Sequence, residues 1–327
     1  MTRWFHAPLQ LRRRWKQPKS NLNKRQIDNG RYTLIHQIGQ GASCMVHLAV
    51  EATTNKRFAI KEMSKSRLER QYRQSQLAIS RRPLYPESKK RKLDQEHVGI
   101  EEIEILKQLP AHPNIIQFVQ VIDNDPENED SIFIVTELAE KGIVMDVTPH
   151  SVTKPIPEDQ CRVIFSQLVN AVEHLHSNRI VHRDIKPQNL VMSNNNIVKL
   201  IDFGNATCIT DKLSSTSSSV GSPAFMAPEL LKRAARRQQE STTSPTCADL
   251  WSMGVTLYCL VYGRLPFERS SLMDLYGDIQ NKAVEHSDDI DSSLKDLIDK
   301  LLEKNPENRI AIQDVKTHSW LYSKQQC

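Results

Sequence analysis

Two short polar segments in the second half of the chain constrain its fold more than any other feature. The first is His182-Arg183-Asp184-Ile185-Lys186-Pro187-Gln188-Asn189, and the second, shortly after it, is Asp202-Phe203-Gly204. Either segment alone could arise by chance. Their order and closeness are specific, because together they supply carboxylates, an amide and a lysine that a fold must bring to one site.

The two segments resemble the catalytic loop and the metal-binding loop of protein kinases, which transfer phosphate from ATP to a protein hydroxyl. The resemblance implies that Asp184 orients and deprotonates the substrate hydroxyl, since an alcohol is a poor nucleophile by itself. It implies that Lys186 stabilises the transferring phosphate, and that Asn189 and Asp202 hold the Mg²⁺ ions that bridge the phosphates. A lysine two residues after the aspartate is typical of Ser/Thr kinases rather than tyrosine kinases.

A glycine-rich turn and a lysine in the first half of the chain extend the resemblance. The turn is Gly39-Gln40-Gly41-Ala42-Ser43-Cys44-Met45-Val46, and its Gly-x-Gly lets backbone N–H groups approach the phosphates. Cys44 stands where kinases usually carry a third glycine, which places a thiol close to the phosphates. Lys61, in Phe58-Ala59-Ile60-Lys61, matches the lysine that holds the α- and β-phosphates, and Glu102 is its expected ion-pair partner.

The resemblance also implies how adenine is held. Val46, Ala59 and Val191 match the apolar positions that sandwich the base, and the backbone of Glu137 and Ala139 is expected to bond it. The complete expected nucleotide site consists of Ile38, Gly39, Gln40, Gly41, Ala42, Ser43, Cys44, Met45, Val46, Ala59, Lys61, Glu137, Ala139 and Val191.

Other matched positions are expected to support the site rather than react. Thr136 matches the gatekeeper at the rear of the pocket. Ser222 stands where Ser/Thr kinases carry a hydroxyl that contacts the catalytic aspartate and lysine. Glu229 and Arg309 match a structural ion pair, and Asp249 matches a buried aspartate that braces the catalytic loop.

The predicted elements are an antiparallel sheet with one helix followed by a mostly helical half, and the resemblance to kinases implies that they form an α+β, two-lobed protein kinase fold. Residues 31–138 form an N-terminal lobe with an antiparallel sheet and one main helix, predicted at Glu96–Leu109. Residues 139–321 form a mostly helical C-terminal lobe. Its apolar stretch Leu250–Tyr262 is shorter than the roughly 20 residues that a membrane span needs, so it predicts a helix buried on all sides and no transmembrane segment.

The two ends of the chain differ from the domain between them. Residues 1–30 are expected to form a flexible extension, and residues 322–327 a short tail. The chain carries a net charge of +5, but eight Lys or Arg and no acid precede Asp28, so the excess belongs to the extension. We therefore expect a solvated tail, or alternatively a basic segment that touches anionic lipid or a partner, and no nucleic-acid binding by the domain.

Cysteine usage bears on the compartment. The six cysteines occur singly, without a CxxC pair, which argues against a disulfide framework or a zinc site and fits a reduced compartment. The expected localisation is cytoplasmic, with the nucleus as an alternative.

Within the kinases, the chain most resembles the calcium/calmodulin-dependent protein kinase kinase family. The resemblance is carried by residues 137–147 and 221–229 and by an insert at about 64–95, which separates Lys61 from Glu102 by 41 positions. The insert contains Arg81-Arg82-Pro83, which resembles the family's docking insert for target kinases. The family implies a role upstream of other kinases, phosphorylating an activation-loop threonine of calmodulin-dependent kinases and of the AMP-activated kinase group.

The resemblance also frames regulation and the alternatives. Family members carry a calmodulin-binding segment after the kinase domain, whereas this sequence ends soon after its last predicted helix, so we expect constitutive activity or control elsewhere. The basic tail is an alternative calmodulin site. Phosphorylation among residues 214–219 is expected to order the activation segment through Arg183. The competing functions are a Ser/Thr kinase with non-kinase substrates and a pseudokinase scaffold.

Overall fold

The structure is a computed structural model that describes residues 25–41, 44–70, 100–123, 129–209, 222–231 and 244–322. Its N-terminal lobe is built on a six-stranded antiparallel sheet with the order β1-β2-β3-β4-β6-β5. The elements are β1 (Gln26–Ile27), β2 (Tyr32–Gln40), β3 (Cys44–Glu51), β4 (Arg57–Ser64), the helix α1 (Ile100–Gln108), β5 (Phe118–Ile122) and β6 (Ser131–Glu137). The α+β, two-lobed kinase fold expected from the sequence is confirmed.

Strand alternation lets β4 serve two environments at once. Phe58 and Ile60 are 5% and 0% exposed and belong to a small core on one face of the sheet. Ala59 and Lys61 lie on the opposite face, where they line the cleft between the lobes. Because side chains alternate along a strand, burial of Phe58 and Ile60 in the core places the side chains of Ala59 and Lys61 at the cleft.

The ordered domain starts earlier than the sequence indicates. The expected flexible extension covers residues 1–30, yet β1 lies within it and pairs with Tyr32 and Thr33 of β2. Ile27 is 1% exposed in the small core, and burial of such a side chain contributes about 1.5–3 kcal/mol. Arg25 bonds Glu62 of β4 at 2.7 Å. Residues 25–30 therefore belong to the folded lobe, because the sheet offers them an edge to pair with and a core that accepts Ile27.

Several expectations fall on residues that the structure does not describe. These are most of the basic extension, the start of the predicted helix Glu96–Leu109, turn residues 42–43, the docking insert Arg81-Arg82-Pro83, the serine cluster 214–219, and most of the C-terminal tail.

The C-terminal lobe is mainly helical, with short strands near the cleft. Its helices are α2 (Glu158–Ser177), α3 (Thr246–Tyr262), α4 (Leu272–Asn281), α5 (Ser292–Leu301), α6 (Ile312–Thr317) and α7 (Ser319–Tyr322). Its strands are β7 (Gly142–Ile143), β8 (Ile180–Val181), β9 (Leu190–Met192), β10 (Val198–Leu200) and β11 (Thr207–Cys208), which pair as β10-β9-β7 and β11-β8.

Helix α3 forms the centre of this lobe, and its burial on all sides is confirmed, since every residue from Ala248 to Val261 is buried. A Cβ at Gly254 would lie 2.8 Å from Cβ of Leu301, so this glycine permits the close approach of α5. Among the described residues, no helix is both long enough and apolar enough to span a membrane.

Candidate active site

Lys61 is the centre of an ion-pair cluster at the cleft. Its Nζ lies 2.7 and 2.9 Å from the two carboxylate oxygens of Glu102, and 2.9 Å from Oδ1 of Asp202. Burial alone would lower the pKa of Lys61, but the two carboxylates outweigh burial and raise it. Burial would raise the pKa of Asp202, but the ammonium of Lys61 outweighs it and lowers this pKa. Lys61 and Asp202 are therefore both charged near neutral pH.

The local structure explains why these groups meet. Glu102 is 8% exposed, while Glu101 and Glu104 on the same helix are exposed, as the 3.6-residue period of α1 requires. Asp202 has a φ of 65° in the left-handed region. A Cβ at Gly204 would lie 3.4 Å from Oδ1 of Asp202 and 3.6 Å from Oε2 of Glu102. A Cβ at this position would therefore make ordinary van der Waals contacts with the cluster.

The catalytic loop brings a second group of polar side chains together around Asp184, which is 5% exposed. Nζ of Lys186 donates to Oδ2 of Asp184 at 2.7 Å and to Oγ of Ser222 at 3.0 Å. The hydroxyl of Ser222 lies 3.3 Å from Oδ1 of Asp184. The amide of Asn189 donates to the Asp184 carbonyl at 2.8 Å and to its Oδ2 at 3.1 Å. The expected Ser222 contact with the aspartate and the lysine is present.

Asp249 holds the backbone of this loop in place. Its carboxylate accepts hydrogen bonds from the backbone N–H of His182 at 2.9 Å and of Arg183 at 2.8 Å, and Nε2 of His176 lies 2.9 Å away. Burial would raise the pKa of Asp249, but the hydrogen bond from His176 outweighs it and the pKa is lowered. Arg183 has a φ of 66°, a conformation that costs roughly 1–2 kcal/mol. The buried carboxylate compensates for this strain.

A second buried ion pair, between Arg309 and Glu229, fixes the segment that follows Ser222. Nη1 and Nη2 of Arg309 donate to the two carboxylate oxygens of Glu229 at 2.8 and 2.9 Å. Nη1 also donates to the carbonyl of Cys247 at 2.6 Å. The bidentate geometry ties the segment after Ser222 to the start of α3, which is the structural role expected for this pair.

One continuous cavity of about 1660 Å³ contains most of the expected nucleotide site. The backbone N–H of Glu137 already donates to the carbonyl of Gln117 at 3.0 Å, so a bond from Glu137 to a base must use its carbonyl. Thr136 also lines the cavity. The expected catalytic, nucleotide and metal residues that line it are Ile38, Gly39, Gln40, Gly41, Cys44, Val46, Ala59, Lys61, Glu102, Glu137, Ala139, Lys186, Asn189, Val191 and Asp202.

Met45 is a correction to the expected nucleotide site. It is absent from the lining of the cavity, and its side chain is 42% exposed. Cys44 and Val46 both line the cavity, and the residue between them in β3 must point to the opposite face of the sheet. Strand alternation, read from the sequence, could have excluded this side chain.

Cys44 replaces the third glycine without opening the turn. The backbone N–H of Gly41 donates to the carbonyl of Cys44 at 2.9 Å, and a Cβ at Gly41 would lie 2.7 Å from Sγ of Cys44. The thiol therefore fills the space beneath the turn. Burial raises the pKa of Cys44 despite the nearby ammonium of Lys61, so the thiol stays protonated near neutral pH.

Several cleft residues were missed by the sequence reasoning. Leu138, Asp146 and Ile201 also line the cavity. Leu138 lies between Glu137 and Ala139, and Ile201 directly precedes Asp202. Both could therefore have been predicted as neighbours in sequence of expected site residues. Asp146 follows the short strand β7 in an irregular segment, and only the folded chain brings it to the cleft.

Comparison with known proteins identifies a matching protein family and several similar proteins. The model of the protein kinase domain family matches residues 32–321. A calcium/calmodulin-dependent protein kinase kinase of Emericella nidulans, cmkC, is 35% identical over 303 residues, which are 89% of this chain and 57% of that protein. The calcium/calmodulin-dependent protein kinase kinase of Caenorhabditis elegans is 33% identical over 301 residues, 90% of this chain and 53% of that protein.

A third relative is matched over most of its length. The serine/threonine-protein kinase ppk34 of Schizosaccharomyces pombe is 34% identical over 295 residues, which are 87% of this chain and 81% of that protein. By contrast, the chain spans about half the length of the two calmodulin-named relatives, with 57% and 53% of them covered.

Proposed function

Because the chain belongs to the protein kinase family and is a protein serine/threonine kinase, we propose that it phosphorylates the activation-loop threonine of other kinases. The support for this substrate class is the likeness to two relatives that are named kinase kinases, at 35% and 33% identity. A kinase with non-kinase substrates is the alternative, and ppk34 carries no substrate in its name.

The cluster around Asp184 is the observation that most directly supports phosphate transfer to a substrate hydroxyl. The carboxylate of Asp184 is positioned by Lys186 and Asn189 at 2.7 and 3.1 Å from its Oδ2, so it can accept the proton of a substrate hydroxyl as the oxygen attacks phosphorus. Lys186 balances the negative charge near the transferring group, and Ser222 holds Lys186 in place. A complete set of such groups favours catalysis over a scaffold role.

The residues at the cleft also fit a magnesium–nucleotide complex. ATP is the donor that the family implies, and Mg·ATP supplies the transferable phosphate when it is bound. Asn189 uses its amide nitrogen on Asp184, which leaves its oxygen as a metal donor. The Asp202 side chain is 42% exposed in the cleft. Among the described residues there is no cluster of three or more His, Cys, Asp or Glu that could hold a metal alone, so we propose that Mg²⁺ is shared with the phosphates.

Phosphate transfer to a defined substrate tests this proposal. The substrate is the catalytically inactive domain of an AMP-activated-type kinase, and the readout is phosphorylation of its activation-loop threonine with Mg·ATP, without calcium or calmodulin. We expect transfer by the wild-type chain and loss of at least about 100-fold with Asp184→Asn. Asp159→Asn, on the outer part of α2, is the matched control and should keep full activity.

The outcomes separate the substrate class from the chemistry. Transfer to general protein substrates but not to the kinase domain would discard the upstream role and keep the enzyme. Transfer to neither, with a folded protein, would point to the scaffold alternative.

The proposal has three further parts, which concern the insert, the localisation and the basic tail, and the insert and most of the tail lie outside the described residues. We propose that Arg81-Arg82-Pro83 docks the target kinase, and replacement of these residues by alanine should raise KM for the kinase domain but not for a short peptide.

We also propose a cytoplasmic or nuclear localisation, which a fluorescent fusion can test. Calmodulin binding by the basic tail can be tested by pull-down, in which retention without calcium-dependence would count against it.

A further inference from the structure

An ion pair behind the cleft joins the two lobes. Nζ of Lys199 lies 2.7 Å from Oε1 of Glu137. Glu137 is the last residue of β6 in the N-terminal sheet, and Lys199 is the middle residue of β10 in the C-terminal lobe. The side chains of Glu137 and Lys199 are 28% and 12% exposed. The pair is therefore shielded from much of the water that weakens ion pairs at a surface.

Glu137 is held both at its backbone and at its side chain. Its N–H donates to the carbonyl of Gln117 at 3.0 Å, and its Oε1 accepts from the N–H of Gln117 at 2.8 Å. The same oxygen contacts Lys199, whose Nζ also donates to the carbonyl of Pro113 at 3.0 Å. Because the N–H and the carboxylate are both engaged, Glu137 has little freedom to turn at the edge of the cleft.

The backbone on each side of Lys199 is also fixed. The N–H of Val198 donates to Oε1 of Gln167 on α2 at 2.9 Å. The N–H of Leu200 donates to the carbonyl of Asn114 at 2.9 Å. Lys199 therefore extends its ammonium from a strand that is anchored before and after it, and such a rigid support favours a precise position of the charged group.

Lys199 contacts the nucleotide site only through Glu137. Glu137 lines the cleft cavity, whereas Lys199 does not. The N–H of Glu137 is already engaged, which leaves its carbonyl as the backbone group that can accept a hydrogen bond from the 6-amino group of adenine. A different lysine, Lys61, lies beside Asp202 where the phosphates are expected. Lys199 is therefore separate from the phosphate end of the site.

We propose that Lys199 is a positioning residue, which orients the carbonyl of Glu137 to accept the 6-amino group of the adenine base. The inference rests on the adenine nucleotide proposed above and is independent of the protein substrate. An acceptor that is already fixed loses less conformational entropy when the base binds, so its hydrogen bond contributes more to affinity. Without the ammonium, the carboxylate of Glu137 keeps the N–H of Gln117 as a donor but is free to turn toward water.

Equilibrium binding separates this role from catalysis. Calorimetry measures the Kd of Mg·ADP and the Kd of magnesium purine riboside diphosphate, which is the same nucleotide without the 6-amino group. For Lys199→Met we expect the Kd of Mg·ADP to rise about three- to tenfold, as for the loss of one hydrogen bond. The Kd of the nucleotide without the amino group should stay within about twofold. In peptide assays the KM for ATP should rise like the Kd of Mg·ADP, with kcat within about twofold.

Two further substitutions test the route and control for the loss of an ion pair. Glu137→Met keeps the backbone carbonyl and removes the partner of Lys199. The variant with both substitutions should bind Mg·ADP no more weakly than either single variant, because the two side chains act as a unit. Lys316→Met is the matched control. It removes a pair of equal length, 2.7 Å, between Lys316 on α6 and Glu173 on α2, and it should leave both Kd values unchanged.

The other outcomes overturn the inference in distinguishable ways. An unchanged Kd of Mg·ADP in Lys199→Met would remove the lysine from nucleotide binding. Equal losses for the two nucleotides, or additive losses in the double variant, would show that Lys199 acts by a route other than the carbonyl of Glu137. A folded wild type that binds no adenine nucleotide would overturn ATP as the donor, and this inference with it.

Discussion

Ser222 connects the two groups on which proton transfer depends. Its hydroxyl accepts a hydrogen bond from Lys186 at 3.0 Å and lies 3.3 Å from Oδ1 of Asp184. Without it, the lysine and the aspartate keep only their direct contact of 2.7 Å. We expect Ser222→Ala to lower kcat about 10–100-fold, and Ser222→Thr, which keeps the hydroxyl, to stay within a few fold in steady-state assays. Similar losses in both variants would contradict a role for the hydroxyl.

Glu62 gives the N-terminal lobe a pH dependence. Hydrogen bonds from His47, Arg25 and Ser131 lower its pKa from 4.5 to about 2, against the opposing effect of burial. Since the pKa is lowered in the folded state, this stabilisation is complete above about pH 4.5 and is lost as the pH falls toward 2. It amounts to at most about 3 kcal/mol.

Urea unfolding of the wild type and of Glu62→Gln at pH 7 and pH 3 checks this dependence. We expect the wild type to be the more stable at pH 7 and the difference in free energy of unfolding to shrink at pH 3. An equal difference at both pH values would assign the effect to packing rather than to charge.

At the scale of elements, Gly263 fixes how α3 ends against residues 148–156. Its φ is 68°, and a Cβ there would lie 2.1 Å from the carbonyl oxygen of Thr153. We expect Gly263→Ala to lower the free energy of unfolding by at least about 2 kcal/mol, because a left-handed residue and a backbone clash add. Gly277, in α4, has no atom within 4 Å of its Cβ position.

Gly277→Ala is therefore the matched control, and it should raise stability by about 0.5–1 kcal/mol, since alanine is the better helix former. Thermal or urea unfolding measures both variants. If both variants lost a similar amount of unfolding free energy, the positive φ and the backbone clash at Gly263 would not explain the effect of its replacement.

At the scale of the whole molecule, the buried apolar side chains form two clusters of unequal size, and the larger one includes residues of both lobes. Among the described residues, the small core on one face of the N-terminal sheet contains nine that are buried, Ile27, Tyr32, Leu34, Ala49, Phe58, Ile60, Ile122, Phe133 and Val135. The main core includes the buried faces of α2, α3 and α5. Since local opening costs less where less apolar area is buried, we expect β2 and β3 to open more readily than α2 and α3.

Amide hydrogen exchange measures that difference. Exchange in β2 and β3 should be faster than in α2 and α3, and saturating Mg·ATP should slow it in the two strands most, because they carry the turn over the nucleotide. Equal protection of the two lobes would show that they open as one unit.

The sequence by itself determined which side chains meet at the site. Asp184, Lys186, Asn189 and Asp202 lie in short segments whose order and spacing identify their loops, and the sequence around Glu102 resembles the kinase helix that carries the partner of the lysine. The burial of α3 likewise followed from its largely apolar composition. These features depend on local pattern, and local pattern is visible in sequence.

Only the tertiary structure decided what surrounds that site. β1 is two residues long and too short for any periodic signal, and it forms because β2 offers a free edge and the small core accepts Ile27. Asp146 owes its place at the cleft to the packing of segments that are far apart in sequence. Burial and exposure depend on which surfaces other elements cover, and that is settled only when the whole chain is folded.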